Sequence, residues 1–580
     1  MVKRPATALS VLVAGSVVLG GCGATERRFA LRDPLTVDTD LRSVSLPCRK
    51  APNEKEKDHV SCAPAPYVSP LIWDGADNMV FRPLAELWAF KASDEATNAN
   101  SLDEVADSAW FTNRLGVQPL TDAELLNGAC TSSQLMLDTT NIPDGTWVID
   151  KGKQNGSSPG FRIKIPGKGK YLLKVDDPTP ERPSAAAVIG ALAYHAVGFN
   201  FSCEQVVYVK RSVFKLTPGL TMIDNSERVR PFDEKALDEM LKKAPRKGDY
   251  LRFQASAWLE GSLIGPFRYE KTRADDPNDV IPHDQRRELR GGRILAAWLD
   301  HFDAREQNSM DAWMADRKDQ PDSSPGHVVH YYLDTSDCLG SEWNWEVISR
   351  RLGHSYIADW GDIATDFFTL GIPTRPWDTA NRVPGKEIFG FFDADHFSAD
   401  QWKNEYPNPA FSRMTERDGA WMARILARMT PELVKTLASA GQFSDPANTE
   451  YLARMLQGRL DKILDRYLTR LSPVADVHLE GGGLCATDLA ALRAVRDPAL
   501  FQFRATTRDG LPLAVAMRDA SSFCVNVPHR APDGITADND PYRYVGVRID
   551  DGVSRGPLVA YLYDLGATRG FRLVGVERPE

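Results

Sequence analysis

His301-Phe302-Asp303-Ala304-Arg305-Glu306-Gln307-Asn308 and His330-Tyr331-Tyr332-Leu333-Asp334-Thr335-Ser336-Asp337-Cys338-Leu339-Gly340 are the stretches on which the reading of this chain turns. The first ends a run from Arg286 to Phe302 in which Leu289, Ile294, Leu295, Trp298 and Leu299 recur at helical spacing. It supplies a carboxylate, Asp303, and five residues on a carboxamide, Asn308. Asp303 is placed to accept or orient a proton from an attacking hydroxyl, and Asn308 to offer its oxygen to Mg²⁺. The plainer alternative is a polar helix-end loop with Asp303 and Arg305 as a surface pair. In the second stretch an apolar strand delivers Asp334 at its end, where a carboxylate can bridge Mg²⁺ to phosphates or simply turn the chain.

Working upstream, Trp147 to Asp176 has the period of strands. Phe161, Ile163 and Ile165 alternate with Arg162 and Lys164, Gly167-Lys168-Gly169 makes a turn, and Tyr171 to Val175 reads as the next strand. Before them lies a glycine-bearing turn, Lys151 to Gly160, in which Gly156 and Gly160 would let backbone amides approach phosphate oxygens. Glycine turns join strands in most proteins, so this signal is weak alone. Lys174 stands amid the apolar strand. An unpaired buried cation is costly, so it is either a phosphate contact or a residue on the solvent face of an edge strand. Ala185 to Val197 reads as a helix and Val206 to Lys210 as a strand.

The order of these pieces is similar to that of the protein-kinase-like fold over roughly residues 145 to 470. Asp303 to Asn308 has the spacing of the protein-kinase catalytic loop, with His301 where its histidine sits. It also resembles the Asp-Arg-His-x-x-Asn loop of phosphatidylinositol-3/4-kinase-like proteins, and Asp334 to Gly340 resembles their Asp-Phe-Gly-x-x-Leu-Gly segment. Divergent bacterial members, such as the HipA toxin kinases and the CotH spore-coat proteins, are the nearest in style. The resemblance implies ATP and Mg²⁺, with Lys174 on phosphates beside Gly156 and Gly160, Asp303 as catalytic aspartate, and Asn308 and Asp334 on the metal. It also implies a small sheet-containing lobe followed by a mainly helical one, to which Trp421 to Met429 and Tyr451 to Leu471 contribute helices. Four departures stand out. The helix after Lys174 carries no glutamate, and Glu181 just before it is the available substitute. Thr335-Ser336 replaces Phe-Gly, Phe302 replaces the usual arginine, and a charged hairpin from Asp316 to Gly326 lengthens the interval between Asn308 and Asp334.

At the start, Lys3 and Arg4 precede an apolar run from Ala6 to Leu19 that closes on Leu19-Gly20-Gly21-Cys22. This is the pattern of a secretory signal, too short for a comfortable span of about 20 residues. Its ending resembles the bacterial lipobox, which implies removal of residues 1–21 and acylation of Cys22; an ordinary signal peptide is the alternative. Gly23 in place of an aspartate resembles outer-membrane sorting. The expectation is a membrane partner reached through lipid, with no further membrane span after Ala24.

The chain has 580 residues, 42% hydrophobic and 26% charged, with a net charge of −9, enough for several cores and without the basic surface a nucleic acid needs. An exported protein can form disulfides. Cys48 with Cys62 and Cys485 with Cys524 are the plausible pairs, and Cys130, Cys203 and Cys338 leave one expected buried thiol. No cysteine spacing resembles a zinc knuckle, and there is no His-Glu-x-x-His. The expected organisation is α+β: signal 1–21, lipidated tether 22–70, a decoration of the small lobe 71–145, a kinase-like region 146–472, and a β-rich module 473–580. Tyr542 to Ile549, Leu558 to Tyr563 and Phe571 to Val576 are strand candidates in the last, with Asp509-Gly510 and Asp551-Gly552 as turns. Two functions fit. One is Mg-ATP-dependent phosphoryl or nucleotidyl transfer to an unidentified acceptor, with a protein among the candidates; the other is a non-catalytic binding lipoprotein on the same scaffold.

Overall fold

A computed structural model describes residues 28–31, 38–50, 60–69, 71–86, 95–130, 135–153, 158–223, 228–340, 346–531, 533 and 543–580. The signal stretch 1–21, Cys22 and Gly156 lie outside the described residues. The chain is mixed α+β, with 28% helix and 24% strand divided among several sheets, so neither class dominates. No helix among the described residues is long and apolar enough to cross a membrane.

The sheet that carries Lys174 starts with three antiparallel strands, β1 (Trp147–Gly152), β2 (Gly160–Ile165) and β3 (Gly169–Lys174). The alternation read in the sequence holds here. Phe161, Ile163 and Ile165 point inward and are buried together with Tyr171 and Leu173. Helix α1 (Arg182–Val197) follows, and then β4 (Glu204–Lys210), β5 (Phe214–Leu216) and β6 (Tyr250–Ala257). Strand β6 pairs with both β3 and β4, setting Gln254 opposite Lys174, while β5 runs parallel to β1. With the short strand Arg246–Lys247, the sheet has seven strands.

Helix α1 is apolar on every side, and each of its residues except His195 is buried. A helix without a polar face must be covered all round. The sheet side takes one face, and the cluster that includes Phe199, Val434 and Leu437 takes another. Helix α2 (Arg287–Leu299) ends in Asp300, whose left-handed backbone turns the chain into the 301–308 loop. Three antiparallel strands, β7 (Ser262–Gly265), β8 (Ser309–Ala315) and β9 (Gly326–Tyr332), form a second sheet, and β9 delivers Asp334. Residues 316–325 are the hairpin end anticipated from their charge. Helices α3 (Glu416–Leu426), α4 (Pro431–Ser439) and α5 (Pro446–Tyr467) complete the core around α2.

From Val474 the chain returns to strands. A four-stranded sheet runs from Val474–Glu480 through Gly483–Asp488 and Ser522–Asn526 to Val515–Met517. A five-stranded sheet includes Tyr544–Asp550, Leu558–Asp564 and Phe571–Glu577. Both share one apolar cluster.

The described part of residues 22–70 corrects the tether reading. Asp40 is 3% exposed and accepts from the Ala109 amide, Val44 bridges to Gly326, and the Cys62 amide donates to Asp322. Trp110 and Phe111 are buried: Trp110 stacks on His330 beside Phe267, and Phe111 packs against Phe199 and against Trp421 of α3. Cys48–Cys62 and Cys485–Cys524 are disulfides, Cys130–Cys203 is a third, and Cys338 is the buried thiol.

Candidate functional site

Lys174 at the end of β3 and Asp334 just beyond β9 meet across 160 positions of sequence, Nζ to Oδ2 at 2.7 Å. The lysine is 7% exposed and the aspartate 34%, so the pair is buried at its root and open on the carboxylate side. Burial alone would push Asp334 up, but the Lys174 charge and the Ser336 hydroxyl, 2.6 Å from Oδ1, hold it well below the usual carboxylate range. Asp334 has a left-handed backbone, with φ 47°. Aspartate tolerates this conformation better than most residues, yet it costs about 1–2 kcal/mol. Helix α1 helps to hold it. Thr335 Oγ1 donates to the Ala187 carbonyl, and a Cβ on Gly190 would lie 2.4 Å from that hydroxyl oxygen, so only glycine lets the helix sit this close.

Gly160 also has a packing reason. It faces Lys174 in register, and a Cβ there would stand 2.5 Å from the Leu173 carbonyl oxygen. Beside it, Lys153 donates to the Ser158 carbonyl at 2.5 Å. Burial and the nearby Lys174 charge bring Lys153 down to about 7, with Asp334 pulling it back up. Lys153 is the second cation of the cluster, and its polar turn carries no local sequence signal of a buried charge.

The 301–308 loop is tied down from three sides. Asn308 Nδ2 donates to the Asp303 carbonyl at 2.8 Å, and the Leu333 amide donates to the Asn308 carbonyl at 2.9 Å, joining the loop to the Asp334 strand. Asp337 Oδ2 accepts from the Asp303 amide at 2.6 Å. The Glu405 amide donates to the Phe302 carbonyl at 2.8 Å, and Glu405 Oε2 accepts from Arg305 at 3.0 Å. Arg305 Nε also lies 2.7 Å from Asp303 Oδ1, too poorly aligned for a hydrogen bond, so this contact is an ion pair.

Three carboxylates, Asp303, Glu405 and Asp337, therefore crowd one guanidinium. Burial raises Asp303, with Arg305 opposing. Burial and the Asp303 charge push Glu405 up to about 9, and burial and Asp303 push Asp337 well above its usual range. Like charges this close share protons rather than all ionising.

Asp303, Asn308, Lys174 and Asp334 are thus brought together by contacts the sequence order alone could only suggest. Gly160 lies beside them. Glu181 does not substitute for the missing helix glutamate; its carboxylate accepts from the Ser444 amide, and its backbone carbonyl accepts from Ala185 and Arg252. The acid that feels the Lys174 charge from the sheet is Glu204 on β4, raised to about 7 by burial and hydrogen-bonded by Ser202, Gln254 and Ser256. Glu204 and Glu405 had no local signal, since both reach the site through strand pairing or a distant segment. A cavity of about 260 Å³ lined by Arg293, Tyr356, Trp402 and Asn404 includes none of these charged groups.

Two lysines beside a half-buried carboxylate, next to a carboxamide whose nitrogen is already committed, form a set suited to an anion together with a hard cation. Comparison with protein-family models, curated proteins and solved structures finds no match to this chain.

Proposed function

We propose that this is an exported, lipid-anchored envelope protein whose region 146–472 is an atypical two-lobed kinase-like fold transferring phosphoryl groups from Mg-ATP. The observation that carries the reading is the Lys174–Asp334 pair at 2.7 Å, with Asn308 bonded to Asp303 alongside it. In this reading Lys174 and Lys153 hold the phosphates, and an arriving anion offsets the burial and the Lys174 charge that lower Lys153. Gly160 borders the same turn, and Gly156 belongs to it by sequence. Asn308 and Asp334 are the oxygen donors for Mg²⁺, which when bound neutralises phosphate charge.

Asp303 is the group that orients an acceptor hydroxyl and takes its proton. Its raised position relative to an ordinary aspartate suits a base, and Arg305 and the Asn308 amide hold it in place. Catalysis then rests on position and charge rather than on covalent chemistry. Acylated Cys22 would hold the chain at a membrane, in the outer membrane by the resemblance of its flanking residues. The same groups serve nucleotidyl transfer if the nucleotide is presented the other way round.

One observation favours a second reading, a non-catalytic nucleotide-binding lipoprotein. Helix α1 carries no acidic residue, so Lys174 is held by Asp334 itself instead of by a helix glutamate. Incubating the full chain and envelope proteins with Mg²⁺ and ATP labelled at the γ or the α position separates the readings. The proposal expects γ-label on protein, lost in Asp303→Asn. Label from the α position indicates nucleotidyl transfer. Bound nucleotide without any transfer supports the non-catalytic reading and ends the enzymatic one.

A further inference from the structure

The head of the 301–308 loop and the segment after Asp334 also bring together three groups that the proposed chemistry leaves unused. His301 and Cys338 are both fully buried, and Asp337 stands between them. One ligand-type atom of each, the imidazole nitrogen, a carboxylate oxygen and the thiol sulfur, lies within 4.8 Å of the others. His301 Nε2 is 3.7 Å from Asp337 Oδ1, beyond hydrogen-bonding range, and neither atom has a well-formed hydrogen bond although both are buried. The backbone of Asp334 also lies near the imidazole. Leaving a buried polar atom without a partner is costly.

We infer that His301, Asp337 and Cys338 form a binding site for a borderline-soft divalent cation of the zinc class. The donor set, one nitrogen, one oxygen and one sulfur, suits zinc and does not suit magnesium or calcium, which take oxygen. The remaining contacts orient each ligand. Tyr194 OH is 2.8 Å from His301 Nδ1, which leaves Nε2 for the metal in the way ligating histidines are usually held. Asp337 Oδ2 is occupied by the Asp303 amide, which leaves Oδ1. Arg182 donates to the Ser336 and Cys338 carbonyls at 3.3 and 3.1 Å and so fixes the backbone carrying the thiol. Among the described cysteines Cys338 alone is not in a disulfide, as a metal-ligating thiol must be. Three protein ligands leave a fourth position for water or a backbone carbonyl. The ion joins residue 301 to residues 337 and 338, and through the Asp337–Asp303 bond it steadies the Asp303 loop.

The test uses the chelator-stripped full chain with zinc and cobalt as probes. One equivalent of zinc binds, and cobalt in its place gives a thiolate-to-metal charge-transfer band. That band disappears in Cys338→Ser, and metal affinity falls at least tenfold in Asp337→Asn. Because either variant could misfold, Cys338 alkylation is also mapped in the unmutated chain, in urea just below its unfolding transition. Zinc slows that alkylation at least tenfold. A chain that shows no charge-transfer band, a band that survives Cys338→Ser, or alkylation unaffected by zinc overturns the inference.

Discussion

Two buried clusters of charge in this protein are built in opposite ways. Around Asp103 most of the charge is matched, although burial and the Arg424 charge bring Arg578 down to about 10. Arg287, Arg424 and Arg578 converge on its carboxylate, and Arg287 also reaches Asp418 at 3.3 Å. Burial alone would raise Asp103, but the three guanidinium groups hold it far below the usual range. Around Asp303 the balance is reversed. Asp303, Glu405 and Asp337 share Arg305, and all three are raised. Lys153 beside Lys174 is the same situation with the sign inverted. The Asp103 cluster joins the C-terminal strand, through Arg578, to α2 and α3, and is finished without any ligand. The Asp303 and Lys174 clusters carry groups that are costly as they stand, which is the signature of a site whose partner comes from outside.

That contrast can be broken at either end. The largest expected effect is at the finished cluster. Asp103→Ala leaves three buried arginines without their shared partner and costs about 3–5 kcal/mol, read as a lowered thermal midpoint. Lys174→Met comes next. It weakens Mg-ATP binding roughly tenfold to a hundredfold, the worth of about 1.5–3 kcal/mol for a charged hydrogen bond, with little change in the fold measured by circular dichroism.

Lys153→Met acts more mildly, about tenfold, and its effect depends on pH. The free lysine titrates at about 7, so it is charged at pH 6 and largely neutral at pH 8. Nucleotide affinity therefore falls as pH rises through 7, and the methionine variant flattens the slope; an unchanged slope in titration calorimetry would remove Lys153 from the site.

The last effect is read as a pH dependence, at Glu405. Its folded value of about 9 lies above the ordinary 4.5, so the folded chain favours its protonated form. Stability from this group is full below about 4.5 and is lost as pH rises towards 9. Glu405→Gln keeps the neutral form at all pH values. The variant should lose less thermal stability than the parent between pH 6 and pH 9.

What was legible in the sequence was local. Phe161, Ile163 and Ile165 alternate because one face of β2 is buried, and the alanine-rich stretch of α1 announces a helix covered on all sides. Asp303, Asn308 and Asp334 stand at fixed offsets from a helix and a strand, so their meeting with Lys174 could be anticipated. Glu405 enters by hydrogen bonds to Phe302 and Arg305 from a segment about 100 residues away, and no periodicity encodes that. The Cys130–Cys203 bridge spans 73 residues and was equally silent. Residues 38–50 were misread because charge and proline resemble a linker, while Asp40 is in fact satisfied by Arg286 and the Ala109 amide.

The proposed binding of Mg-ATP by Lys174, Asn308 and Asp334 is decided by thermal unfolding of the full chain against ATP with and without Mg²⁺. At a hundredfold excess over the dissociation constant, binding adds about 2.7 kcal/mol to the folded state. The midpoint is expected to rise clearly only when Mg²⁺ is present, and the rise to disappear in Asp334→Asn. A midpoint that ATP and Mg²⁺ leave unmoved, or a rise that Asp334→Asn keeps in full, would contradict it.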